Sequence, residues 1–282
     1  MTHVYSHILP CTALANRAPP RARGKASIAA KLRNKRSVIG DLRQAGSLKL
    51  LFPRSTDLGL QTVLVNTAGG ITGGDRFELE AKAAAGTELT VTTQAAERAY
   101  RSQPGETGLI RTRLAADKNA SLNWLPQETI LFQGCNLDRS LQVDVHNSAR
   151  LLLCETVIFG RAAMGERLTQ AQLRDCIEIR RAGVPLFHDA MELKGDIAAH
   201  LALSTTANGA GALATVVYMS PDAAGRLAPV RRQLGPTAGA SLIGNDLLIL
   251  RALAPDSYLL RRLLMPILAL LHQRPLPRTW MI

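Results

Sequence analysis

The chain has 282 residues, 46% of them hydrophobic and only 4% aromatic. That is enough apolar material for a large core built from Leu, Val, Ile and Ala, and it excludes a disordered chain. The formal charge of +12 is concentrated at the ends: residues 17–36 hold eight Lys or Arg and no acid, whereas residues 37–250 hold 21 bases and 21 acids. No apolar stretch reaches about 18 residues without a charge, and no apolar signal core opens the chain. A membrane span and a secretory leader are therefore not expected, and the chain reads as cytoplasmic. Residues 1–24 read as a flexible basic segment, a solvated arm or a dock for an acidic partner. They lack the interleaved aromatics of a nucleic-acid surface. Residues 25–282 read as a single domain.

A strand is expected near residues 26–32. From 47 to 195 the pattern is β, with runs at 48–52, 62–65, 77–81, 88–93, 108–114, 121–125, 140–145 and 150–157 broken by Gly, Asn, Asp and Pro. Many short strands of this kind predict stacked sheets rather than a βαβ array. No exact internal repeat is visible, so a solenoid is not assigned. The last third adds strands at 212–218, 240–243 and 247–252. A helix at about 221–234, distorted by Pro229, lies between the first two of these. A second helix at 256–272 is capped by Asp256 or Ser257 and kinked by Pro266. Its apolar stripe, with Leu263 and Ile267 at its centre, either packs on the sheets or meets a partner. The fold class is thus mainly β: stacked sheets of many short strands with two C-terminal α-helices.

Residues 66–75 read Asn-Thr-Ala-Gly-Gly-Ile-Thr-Gly-Gly-Asp after a strand-like run. The pairs Gly69-Gly70 and Gly73-Gly74 predict a tight loop that needs positive φ or close backbone approach. A P-loop would require Lys and Ser or Thr after the last glycine, and a dinucleotide fingerprint would require a helix to follow. Asp75 and Arg76 follow instead, and then a strand-like run. The loop is structural on this reading.

No His or Cys pair has metal-ligand spacing, and there is no Gly-x-Ser-x-Gly elbow. The four cysteines read as small buried hydrophobes. Among the acids, Glu155 stands out inside the apolar run Leu153-Cys154-Glu155-Thr156-Val157. It is either paired, for example with Arg101 or Arg161, or faces a wet internal space. These features favour a binding or scaffold protein. A hydrolase with a dispersed catalytic triad and a basic nucleic-acid-binding protein are the alternatives.

One resemblance joins these pieces. The glycine loop is followed by Thr92-Thr93-Gln94-Ala95-Ala96, Tyr100-Arg101-Ser102 and Leu125-Pro126-Gln127-Glu128. Further on come Glu155-Thr156-Val157-Ile158-Phe159-Gly160-Arg161, Met164-Gly165-Glu166 and Pro277-Arg278-Thr279-Trp280. In this order, over about residues 25–280, they resemble the urease accessory protein UreD (UreH) family. The chain departs from it at Thr67-Ala68, where many members have a Pro pair. The resemblance implies a β-rich protein with two helices that is not an enzyme. It implies binding to apo-urease and UreF, and through UreF to the GTPase UreG. It also implies help with nickel insertion through an internal route that acids would line. Glu155, with Asp75, Glu128 and Glu166 as further candidates, would line that route. Leu263, Ile267, Arg278 and Trp280 are the candidate partner contacts. No tightly bound cofactor is expected, and nickel would pass only transiently, because a conduit must release its ion.

Overall fold

The structure, a computed structural model, describes residues 20–54 and 58–281. Most of the basic segment 1–24 therefore lies outside the described residues, as do His3, His7 and Cys11. The strands follow in chain order as β1 (Arg23–Arg33), β2 (Arg36–Gly46), β3 (Leu48–Leu51), β4 (Leu60–Asn66), β5 (Arg76–Ala83) and β6 (Glu88–Thr93). Next come β7 (Glu97–Ala99), β8 (Gly108–Ala116), β9 (Ser121–Leu125), β10 (Thr129–Leu131), β11 (Asn136–Val145) and β12 (Arg150–Phe159). The last are β13 (Ala171–Arg181), β14 (Val184–Gly195), β15 (Ala212–Met219), β16 (Ala238–Ile243) and β17 (Leu247–Ala254). Three α-helices, α1 (Ile197–Ala202), α2 (Ala223–Arg231) and α3 (Ser257–His272), complete the described residues.

The strands form two sheets, ordered β14-β13-β11-β8-β5-β1-β2 and β16-β17-β15-β12-β9-β6-β4-β3, with β7 and β10 paired beside β12. This bears out the mainly β, stacked-sheet reading. The central strands are parallel in both sheets: β5, β8, β11 and β13 in the first, and β4, β6, β9 and β12 in the second. Parallel neighbours require a crossover. Here the crossover is a strand of the other sheet, because the chain visits the two sheets alternately and winds as a coil. The coil was hidden in the sequence because its turns are unequal. Ala81, Leu114, Val143 and Ile179 lie side by side on successive strands at irregular sequence steps.

Tight hairpins end the first sheet on both sides. Positive φ at Asn34 and Lys35 turns β1 into β2, and positive φ at Ala182 and Gly183 turns β13 into β14. Such two-residue turns match the twist of paired strands. The edge strand β2 has no buried face, so it carries no alternation from which to predict it.

The two expected C-terminal helices are present as α2 and α3. Asp256 caps α3, its carboxylate accepting the Leu259 amide at 2.8 Å. Helix α1 was not anticipated; at six residues it is too short to show a helical period.

Two cores result. One fills the space between the sheets, with Leu79, Leu89, Leu114, Leu122 and Leu153 fully buried. The other lies between the second sheet and helices α2 and α3 and holds Leu152, Cys154, Leu250, Leu264, Ile267 and Trp280. Strand β12 is buried on both faces, which explains its continuous apolar run.

Candidate functional site

Strand periodicity places three charged side chains inside the first core. Alternate residues of a strand point to opposite faces. In β11 the inward set is Leu137, Arg139, Leu141, Val143 and Val145; in β13 it is Ala171, Leu173, Asp175, Ile177 and Ile179. In β12, Leu151, Leu153 and Val157 point inward, and so does Glu155. Arg139, Glu155 and Asp175 are 7%, 7% and 9% exposed.

They form one cluster. Arg139 grips Asp175 with two prongs, Nε to Oδ1 at 2.9 Å and Nη2 to Oδ2 at 2.5 Å. Its Nη1 donates to Glu155 Oε2 at 2.6 Å and to Thr129 Oγ1 at 3.0 Å. The other Glu155 oxygen accepts the Trp124 indole N–H at 2.5 Å. Burial would lower the affinity of Arg139 for its proton, but the carboxylates of Asp175 and Glu155 more than offset this and push it up. Burial pushes the Glu155 carboxyl up, opposed by Arg139 and the Trp124 donor. The partner of Glu155 is therefore Arg139, not Arg101 or Arg161. The error arose because stacking of the two sheets, not sequence proximity, brings Arg139 of β11 to Glu155 of β12.

The cluster sits beside a series of cavities, two of them between the sheets and one on the second sheet's side at the glycine loop. One cavity of about 100 Å³ lies against the glycine loop and is lined by Leu64, Gly70, Thr93 and Glu97. A central one of about 70 Å³ shares Leu64, Thr93 and Glu97 with it and reaches Trp124, Arg139 and Glu155. A third of about 20 Å³ shares Arg139 and Glu155 with the central one. It continues to Asp175, Asp189, Thr215 and Arg251, where Arg251 pairs with Asp189. Glu97, at the neck of the first two, has its carboxyl pushed up by burial, while the Asn66 amide pulls the other way.

Of the four acids singled out in the sequence, Glu155 alone lines any of these cavities, the central one and the third, and the four are not brought together. Asp75 accepts the backbone amides of Ala22 at 2.7 Å and Thr72 at 2.9 Å, so it closes the glycine loop onto the start of β1. Within that loop Gly74 takes φ +84°, but Gly73 is needed for close approach: a Cβ there would meet the Glu106 Cβ at 2.6 Å. Glu128 pairs with Arg261 of α3 at 3.2 Å. Glu166 is bound by Arg161 through Nε and Nη2, both at 2.9 Å, which pulls its carboxyl down to about 2.

Among the partner candidates, Ile267 and Trp280 lie within the second core, and the Trp280 indole donates to Leu125 O. Their burial makes them packing residues, whereas Leu263 is half-buried and Arg278 exposed. Cys135 and Cys154 are buried, and burial pushes the Cys135 thiol up to about 11. Among the described residues no three His, Cys, Asp or Glu side chains are grouped to hold a metal, and no helix is long and apolar enough to cross a membrane.

The sequence reading missed Arg139, Asp175, Trp124 and Glu97. The signal was available for two of them. Arg139 and Asp175 are the charged members of otherwise apolar inward sets in β11 and β13.

Fold and cluster together define a protein wound from two sheets, with a series of mainly apolar cavities crossed by a buried ion-pair cluster. The chain belongs to the UreD urease accessory protein family, whose model matches residues 22–281. It is 54% identical over 246 residues to the urease accessory protein UreD of Ruegeria pomeroyi, covering 87% of this chain and 96% of the relative. It is 49% identical over 261 residues to that of Roseobacter denitrificans, covering 93% and 95%. With the protein of the same name from Rhizobium rhizogenes the identity is 39% over 269 residues, covering 95% and 98%.

Proposed function

We propose that the chain is a non-enzymatic urease maturation factor of the cytoplasm. It binds apo-urease and UreF, recruits UreG through UreF, and assists nickel insertion by offering an internal route between its two sheets. Family membership supports the urease role, and the cavity line that meets Glu155 is the observation that carries the route. Carboxylate and hydroxyl oxygens along that line would hold a divalent ion weakly enough to release it. Glu155 contributes an anionic oxygen at the narrow point, and Glu97 one at the neck nearer the glycine loop. The exposed side of α3, with Tyr258 and Leu259, and the half-buried Leu263 supply surface for a partner.

The test is Glu155→Gln, which keeps the shape and removes the charge. Complexes of the variant with UreF and apo-urease are isolated, and urease matured through them is assayed for nickel. An intact complex that yields urease with less nickel supports the route. A normal nickel content in a folded variant overturns it for this residue.

A further inference from the structure

The cavity line is interrupted at one place, and the interruption is a side chain. Arg139 and Glu155 line both the central cavity and the third one, so their ion pair forms the wall between them. The cavities on either side have room for a few waters and for about one water, since one needs about 10–15 Å³. A cation arriving from either side meets a guanidinium of like sign, in a site where water screens little.

The geometry points to Arg139 as a latch that closes this passage and is displaced when a divalent cation takes its place on Glu155; the inference rests on the route reading given above. Its grip is asymmetric. Two donors hold Asp175, the direct neighbour of Arg139 across β11 and β13, so that contact is fixed by strand register. A single carboxylate contact, from Nη1, reaches Glu155 on the opposite sheet. The guanidinium sits on a flexible stem, and it can give up Glu155 while keeping its two-pronged bond to Asp175. Glu155 then keeps the Trp124 donor on Oε1 and has Oε2 free for a cation, with the Thr129 hydroxyl beside it. The guanidinium and the cation compete for one oxygen, so ions would pass singly.

The reporter is Trp124, which lines the central cavity and touches Glu155. Complexes with UreF are mixed with nickel chloride, without urease, and the quenching of tryptophan fluorescence is followed in time. Trp280, in the second core, supplies an unchanged background. Arg139→Lys keeps the charge but lacks the planar fork that spans both carboxylates. Arg139→Gln combined with Asp175→Asn removes the latch, retains Glu155 and preserves the net charge of the cluster. Quenching that becomes severalfold faster than wild type in either folded variant supports the latch. Wild-type quenching in a variant with wild-type melting and UreF binding overturns it. Loss of soluble complex in both variants also counts against it, since Arg139 would then be a folding element. Nickel content of urease matured through the same complexes separates the two ideas: faster quenching with unchanged nickel content leaves the latch standing and removes the route.

Discussion

Arg139→Gln should destabilise the protein more than Glu155→Gln, although each removes one partner of the same 2.6 Å contact. In Glu155→Gln the guanidinium keeps a full counter-charge, because both bonds to Asp175 survive. The loss is one charge-assisted hydrogen bond, about 1.5–3 kcal/mol. In Arg139→Gln two carboxylates, both at most 9% exposed, are left beside each other with no cation. Uncompensated buried charge of this kind costs about 3–5 kcal/mol. For a chain of this size that lowers the melting temperature by roughly 5–8 °C. The pH dependence has a definite sign. Burial already raises the Glu155 carboxyl, and removing the guanidinium raises it further. A carboxyl with a folded pKa above its unfolded value of about 4.3 binds more protons in the folded state, so stability rises as pH falls. The deficit of Arg139→Gln relative to wild type should therefore narrow between about pH 7 and about pH 5. Thermal melting by circular dichroism at the two pH values is the assay. Equal losses in the two variants, or a deficit that widens on acidification, would refute the account of the cluster.

Gly73→Ala should lower the melting temperature more than Gly69→Ala. A Cβ at 73 meets Glu106 and Ser102 within 3 Å, whereas at 69 nothing lies within 4 Å and only the positive φ resists it. Overpacking costs about 1–3 kcal/mol against about 1 for the left-handed conformation, and the reverse order in a melting comparison would show that the loop gives way at Gly73. Glu166→Gln should melt below wild type at neutral pH and converge with it in acid. Arg161 holds the Glu166 carboxyl down at about 2, so its stabilisation is present above the unfolded value and fades as pH falls toward that number. Parallel melting curves at every pH would remove the Arg161 contact as the cause.

The alternation of residues 88–93, 108–114 and 140–145 made those strands legible, because one apolar face must be buried whatever its partner. The stripe and Asp256 cap of α3 were legible for the same local reason. Strand β2 was not, since an edge strand exposed on both faces has no pattern to read. Glu155 was singled out because a carboxylate in an apolar run needs a partner or a wet space, and it has Arg139 and two cavities. Asp75, Glu128 and Glu166 were drawn in by motif, and each is tied to a separate part of the fold.

The sequence by itself determined most of the inner strands, the two C-terminal helices, the tight glycine loop and the family, because each rests on local periodicity, backbone conformation or ordered motifs. Only the tertiary structure decided that the chain winds alternately between two sheets, that Arg139 lies beside Asp175, and that both face Glu155 across the core. Those contacts join residues of different strands through register and sheet stacking. No local spacing encodes which of the chain's many arginines meets which carboxylate.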